Sequence, residues 1–328
     1  MKTFTRDYRI TGNYPQKFVS YFPGMKPCIL DIEATGLDPS KNKVCLVALL
    51  VRTGNGVRIT QFLAENHYEE NKVLDAMMDF LSAEQIDYLI TFNGRAYDVP
   101  FINRRLEFNF SEHRLSLFNF DLYRFLCKGT DLRDRIQSMS QMSLEDHYGI
   151  LSDRKDTITG RESVSLFNQY SLTGNTSVEK IILTHNREDV LHLHRLMYLT
   201  MGELEDFDSA MALHGFPSPD GRLVIRPYIS RQAKSLKICG EQLVEPVSCA
   251  YFPTENNPAS IQFNGISSSF EISIPVSRRG EDFFADTKDL SIDISDDPDY
   301  INGYLILNPR TINRISLLIT DRIQKELL

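Results

Sequence analysis

Three groups of side chains in this sequence carry chemistry by type and spacing. In Cys28-Ile29-Leu30-Asp31-Ile32-Glu33-Ala34-Thr35-Gly36-Leu37 an apolar run holds two acids separated by one residue. Side chains alternate along a strand, so Asp31 and Glu33 point to one face. Two carboxylates pinned side by side in apolar surroundings raise each other's pKa. A divalent cation removes that cost, and oxygen-only ligands suit a hard ion such as Mg²⁺ or Mn²⁺. A surface strand carrying two acids by chance is the alternative. The second group is Asn93-Gly94-Arg95-Ala96-Tyr97-Asp98-Val99-Pro100. Here a strand ends, a tight turn follows and an acid precedes a helix. A plain N-cap would explain Asp98, and a turn former would explain Asn93. The third group is His185-Asn186-Arg187-Glu188-Asp189. On a helix, residues four apart share a face, which stacks His185 on Asp189. His192 continues that stripe. For His192 and His194 the reading is an exposed polar face, since no cysteine or third histidine stands at zinc-ligand spacing.

The elements that must position these groups follow from hydrophobic period. Residues 27–34 read as a strand, and Val44–Val51 as one buried on both faces. Residues 56–63 follow across the hairpin signal Thr53-Gly54-Asn55-Gly56. Sequential strands with short links favour an antiparallel meander. The period then changes: Val73, Leu74, Met77, Met78 and Leu81 predict a helix over 69–81. A strand at 86–92, a helix carrying Pro100 in its first turn and running to Asn109, and a strand at 117–122 come next. Helical patterns continue to about Gly202. This is an α/β plan with a mixed sheet. Asp121, an acid in the last of these strands, reads as buried and paired with Arg124 or Arg133.

Residues 1–26 read as a lead-in that packs on the sheet, 27–219 as the first domain, and 220–328 as a small β-rich α+β module. In that module Phe270, Ile272, Ile274 and Val276 alternate with polar residues and proline. Asn308-Pro309 opens a final helix striped by Ile312, Ile315, Ile319 and Ile323.

Composition narrows the class. The chain has 328 residues, 42% hydrophobic and 24% charged, enough for a sizeable core. The first residues lack an apolar signal segment, and the longest apolar run is too short to span a bilayer, so no membrane association is expected. Five scattered cysteines read as reduced residues of a cytoplasmic protein. The formal charge of −8 weakly opposes nucleic-acid binding through bulk electrostatics, without excluding it.

The order, spacing and contexts of the three groups together are specific. Over about residues 27–200 the chain resembles the DEDD superfamily of 3′–5′ exonucleases, which have an RNase H-like fold. The first motif is Asp31-x-Glu33 followed by Thr35-Gly36, and the second is Asn93 with Tyr97-Asp98. The third resembles the Tyr-Asn-x-x-Asp form of the bacterial YprB-type predicted exonuclease group, here His185-Asn186-x-x-Asp189. The one departure is histidine at the spacing of the tyrosine subclass; one residue of offset on a helix turns a side chain by about 100°.

The resemblance implies two Mg²⁺ or Mn²⁺ ions held by Asp31, Glu33, Asp98 and Asp189, with His185 as base. It implies that Thr35, Gly36, Leu37 and Asn93 approach the terminal nucleotide, and that the substrate is a 3′ end of single-stranded DNA or RNA. Phe92 and Tyr97 are candidates to stack bases, though core packing suits them as well. Arg95, Arg104, Arg105, Arg154, Lys155 and Arg187 are candidate phosphate contacts. An endonuclease of the same fold, or a non-catalytic nucleic-acid-binding protein on that fold, are the alternatives.

Overall fold

Apolar runs bounded by turn residues become the central strands of this chain. The structure, a computed structural model, describes residues 1–10, 14–156, 158–202, 204, 206–254, 258–290, 292 and 294–327. It divides into two compact units, 1–19 with 24–204 and 20–23 with 205–328. The division thus falls ahead of the anticipated boundary near residue 220.

The first unit holds six strands: β1 (Lys2–Tyr8), β2 (Pro27–Ala34), β3 (Val44–Thr53), β4 (Gly56–Leu63), β5 (Tyr88–Thr91) and β6 (Phe118–Asp121). Their order is β1-β4-β3-β2-β5-β6. β2, β3 and β4 form the expected antiparallel meander, and β5 and β6 continue it in parallel with β2. β3 is buried from Val44 to Val51, as its uninterrupted apolar run requires. The lead-in of the sequence reading is a structural element instead: Lys2–Tyr8 pairs antiparallel with β4, from Lys2 opposite Leu63 to Tyr8 opposite Val57. Residues 11–13 of that lead-in lie outside the described residues.

The helices are α1 (Gln16–Val19), α2 (Glu70–Ala83), α3 (Asp98–Phe108), α4 (Leu122–Gly129), α5 (Leu132–Arg135), α6 (Gln141–His147), α7 (Gly160–Thr173) and α8 (Thr176–Gly202). α2 packs on β3 and β4, while α7 and α8 pack on each other and on β2. Leu30 and Ile32 of β2 enter one core with Val73, Leu74 and Met77 of α2 and Ile102 and Leu106 of α3. Because side chains alternate, Asp31 and Glu33 are left on the other face. The result is an RNase H-like mixed sheet flanked by helices.

The second unit is β-rich. Strands β7 (Phe216–Pro217), β8 (Leu223–Ser230), β9 (Ser235–Gln242), β10 (Cys249–Tyr251), β11 (Ser260–Asn264) and β12 (Ser269–Pro275) form an antiparallel sheet in the order β10-β11-β12-β9-β8-β7. Strands β13 (Ser277–Arg279), β14 (Asp282–Asp286), β15 (Tyr300–Ile301) and β16 (Tyr304–Ile306) make a smaller one. Helices α9 (Phe207–His214), α10 (Thr287–Leu290) and α11 (Pro309–Leu327) complete it. Asn308 caps α11 as the sequence predicts, accepting from Thr311 N at 2.9 Å, and Ile312, Ile315, Ile319 and Ile323 are buried. Among the described residues no helix is long and apolar enough to cross a membrane.

Candidate active site

The parallel strands β2, β5 and β6 end together, and the site lies at their carboxyl ends, the place where α/β sheets open a crevice. β2 supplies Asp31 and Glu33. Between Glu33 and Ala34 the pairing with β3 slips: Glu33 faces Leu46 but Ala34 faces Val44. This bulge turns the chain out into the loop that carries Thr35, Gly36 and Leu37.

β5 ends in the Asn93-Gly94 turn. Asn93 adopts φ 61°, and a Cβ at Gly94 would lie 2.5 Å from the side chain of buried Thr91, so glycine is required there. Asp121, at the end of β6, holds this turn: it accepts from Asn93 N at 2.9 Å, Arg95 N at 3.1 Å and Arg124 N at 3.2 Å. Two of these amides belong to arginines, the Arg124 charge also acts on the carboxylate, and Asp121 is the N-cap of α4. Asp98 is not a cap. Tyr97 takes that position, Asp98 is the first residue of α3, and its Oδ1 accepts from Ile32 N at 3.2 Å. That bond draws Asp98 onto β2 beside Asp31 and Glu33.

α8 brings His185, Asn186 and Asp189 to the same place. Asn186 Nδ2 donates to Asp31 Oδ2 at 2.7 Å. Gln61 of β4, also buried, donates to Asn186 Oδ1 at 2.9 Å and to Leu183 O at 3.0 Å. Asp31 is therefore oriented by an amide chain that starts two strands away. His185 Nδ1 lies 2.6 Å from Asp156 Oδ2, and its Nε2 lies 3.6 Å from both Glu33 Oε1 and Asp189 Oδ2. One donor atom from each of Glu33, His185 and Asp189 falls within 4.8 Å of the others.

Electrostatics follow from this convergence. Burial pushes the Asp31 carboxyl well up, and the charges of Asp189, Asp98 and Glu33 add to it. Burial lifts Glu33 to about 7 against the opposing pull of His185, and lifts Asp98 to about 7 against backbone hydrogen bonds. Asp189 is also raised, chiefly by burial, although His185 and Arg154 pull it down. For His185, burial lowers the pKa but is outweighed by the Asp156 hydrogen bond and the charges of Asp189 and Glu33, which push it up to about 9. Four carboxylates that resist ionising together form a site that positive charge would stabilise. Their hard oxygen donors fit Mg²⁺ or Mn²⁺.

A cleft of about 750 Å³ opens over these groups, lined also by Gly36, Leu37, Phe92, Asn93, Tyr97 and Arg161. Leu37 is 83% exposed. Thr35 is not in the lining; its Oγ1 accepts from Lys43 N at 3.0 Å and holds the loop.

Several expectations for the basic residues and histidines fail. Arg154 is buried and donates to Glu145 at 2.9 Å, Asp156 at 2.9 Å and Asp189 at 2.5 Å, so no phosphate contact is open to it. Arg105 is buried in a fork on Glu70, with bonds of 2.8 and 2.7 Å, and Arg187 is buried beside Thr184 and Glu188. Arg104 is half exposed and pairs with Glu107. Arg95 is partly exposed and Lys155 is exposed. His192 and His194 are buried, not on a solvated face: His192 Nδ1 lies 3.2 Å from Glu145 Oε2, and His194 Nδ1 lies 2.9 Å from Tyr14 Oη.

Sequence reasoning missed Asp156, Gln61 and Arg161 and gave Asn186 no role beyond the motif. Arg161 had a legible signal, since Thr159 and Glu162 form a capping box around it.

Fold and site together define an RNase H-like domain with an acidic cleft. The chain belongs to the RNase_H superfamily, whose family model matches residues 28–201. Among solved structures it is similar to the family B DNA polymerase from the hyperthermophilic archaeon Pyrobaculum calidifontis, at 16% identity and a TM-score of 0.45. That match covers 70% of this chain and 33% of the polymerase, so the chain spans about a third of that protein's length. No curated protein matches the chain.

Proposed function

We propose that the first unit is a metal-dependent 3′–5′ exonuclease that hydrolyses phosphodiester bonds of single-stranded nucleic acid and releases nucleoside monophosphates. The observation that carries this reading is the convergence of Asp31, Glu33, Asp98 and Asp189 in one cleft, each with its pKa pushed up. These four residues would hold two Mg²⁺ or Mn²⁺ ions. When bound, such ions supply an activated water and stabilise the attacking and leaving oxygens of the displacement.

The remaining residues bind and orient. A cleft of about 750 Å³ suits one or two unpaired terminal nucleotides rather than a duplex. Leu37, exposed beside the acids, wedges against a terminal base. Phe92 and Tyr97 offer ring faces to the same space. Asn93, fixed by its turn, presents its amide to the sugar or phosphate, and Arg161 meets the chain's negative charge.

The test is cleavage of 3′- and 5′-labelled single-stranded DNA and RNA with Mn²⁺, Mg²⁺ or EDTA, beside an Asp31→Ala/Glu33→Ala variant. A metal-dependent ladder receding from the 3′ end, abolished in the variant, supports the reading. Internal cuts would replace it with an endonuclease. Binding without cleavage in either metal would leave a nucleic-acid-binding protein.

A further inference from the structure

The resemblance makes His185 a base acting on water, but its surroundings fit another role. Its side chain is 8% exposed, and each ring nitrogen faces a different partner. Nδ1 lies 2.6 Å from Asp156 Oδ2. Asp156 is itself buried, and its Oδ1 accepts from Arg154 Nε at 2.9 Å. The carboxylate is thus fixed from behind and accepts a hydrogen bond from the ring's Nδ1–H. In the neutral ring this leaves the lone pair on Nε2. Nε2 points into the gap between Glu33 Oε1 and Asp189 Oδ2, 3.6 Å from each. Two carboxylate oxygens facing Nε2 call for a positive partner in the gap, met by a proton on Nε2 or by a cation that displaces it.

Asp189 shows the same division of labour. Its Oδ1 is 2.5 Å from Arg154 Nη2, which leaves Oδ2 turned toward His185. A carboxylate, an imidazole backed by a second carboxylate, and another carboxylate with one oxygen already occupied form a three-donor set. The donor atoms all lie within 4.8 Å of one another, near the reach of ligands around one first-row ion at about 2.0–2.3 Å per bond. An outer carboxylate on the far nitrogen is the usual partner of a metal-bound histidine.

We propose that His185 is a metal ligand through Nε2, with Glu33 and Asp189, and that Asp156 is the positioning residue that sets its tautomer. The cation beside Asp189 then sits in a mixed nitrogen–oxygen site. A nitrogen ligand disfavours Mg²⁺ relative to first-row transition ions, so this position favours Mn²⁺ over Mg²⁺. The inference rests on the reading of the cleft as a cation site but needs no cleavage to be tested.

The experiment is electron spin-echo modulation of Mn²⁺ bound to the untagged full-length protein. It is repeated for His185→Gln and for Asp156→Asn, with the Mn²⁺ dissociation constant measured alongside. Bound Mn²⁺ should show ¹⁴N coupling from one imidazole, and His185→Gln should remove that coupling while the carboxylates still retain the ion. Asp156→Asn should keep the coupling and weaken Mn²⁺ binding by about 10–100-fold. Mn²⁺ bound to the unaltered protein without ¹⁴N coupling would overturn the proposal and leave the nuclease reading standing. Absence of any Mn²⁺ binding would overturn both.

Discussion

Replacing Arg154 by methionine tests whether this arginine is a structural cation or a substrate contact. The guanidinium is 3% exposed and joins three carboxylates: Glu145, fully buried; Asp156, 4% exposed; and Asp189, 21% exposed. Methionine fills similar volume but leaves the three acids facing each other without the charge between them. Breaking a buried pair from one side costs about 3–5 kcal/mol, because the stranded charge keeps its desolvation penalty. With a urea slope of about 2 kcal/mol per molar, the unfolding midpoint of the first unit should fall by about 1.5–2.5 M. Far-UV circular dichroism in EDTA follows it, supported by the emission of the 14 tyrosines, since the chain has no tryptophan. Arg154→Lys should recover part of the loss, because one ammonium cannot fork to three partners. A variant with an unchanged midpoint but weaker oligonucleotide binding would refute the argument and restore the phosphate contact suggested by the sequence.

Three further outcomes follow from the same geometry. Glu33 and Asp98 have folded pKa values of about 7, above their unfolded values of 4.5 and 3.8. Their contribution is complete below the unfolded pKa and lost as pH rises through 7, so in the EDTA-treated protein each group should contribute a loss of about 3–4 kcal/mol between pH 4 and 8, read by urea titration at each pH. Mn²⁺ should restore most of that loss. His194 has its pKa lowered by burial to about 4, below the ordinary 6.5; stability linked to it is present above pH 6.5 and falls by about 3 kcal/mol as pH drops to 4. His194→Gln should flatten that acid limb in the urea series. Asn186→Leu removes the donor to Asp31 and strands the Gln61 amide, which should cost about 1–3 kcal/mol and weaken Mn²⁺ binding measured by calorimetry.

The first unit was legible wherever its signal was local. β3 is one apolar run, α2 has a clean helical stripe, and the alternation that puts Asp31 and Glu33 on one face is a property of any strand. β1 was missed for a physical reason: an edge strand buries little, and Lys2–Tyr8 has no fully buried residue to announce a face. The supporting contacts of the site were illegible because they are long-range. Arg154 and Asp156 sit in an irregular loop and meet side chains some thirty residues later; Gln61 and Asn186 meet across 125 positions. Charge type alone made Arg154 and Arg105 look like phosphate contacts, when each balances buried carboxylate. His192 and His194 follow a polar-looking pattern yet are buried, because Glu145 and Tyr14 reach them from elsewhere in the chain.

The slip in pairing between Glu33 and Ala34 sets how this chain can change in length. Within β2, Cys28–Glu33 are locked to β3 and Pro27–Ile29 to β5. One inserted or deleted residue there would exchange the two faces and turn Asp31 and Glu33 into the apolar core. Beyond the slip Ala34 pairs with Val44 in a shifted register and Thr35 is tied to Lys43, and the loop between them, residues 36–42, can lengthen or shorten without moving the acids. The acids and the rim of their cleft are therefore separable by indels, and changes of length can accumulate in residues 36–42 while the two carboxylates stay in place.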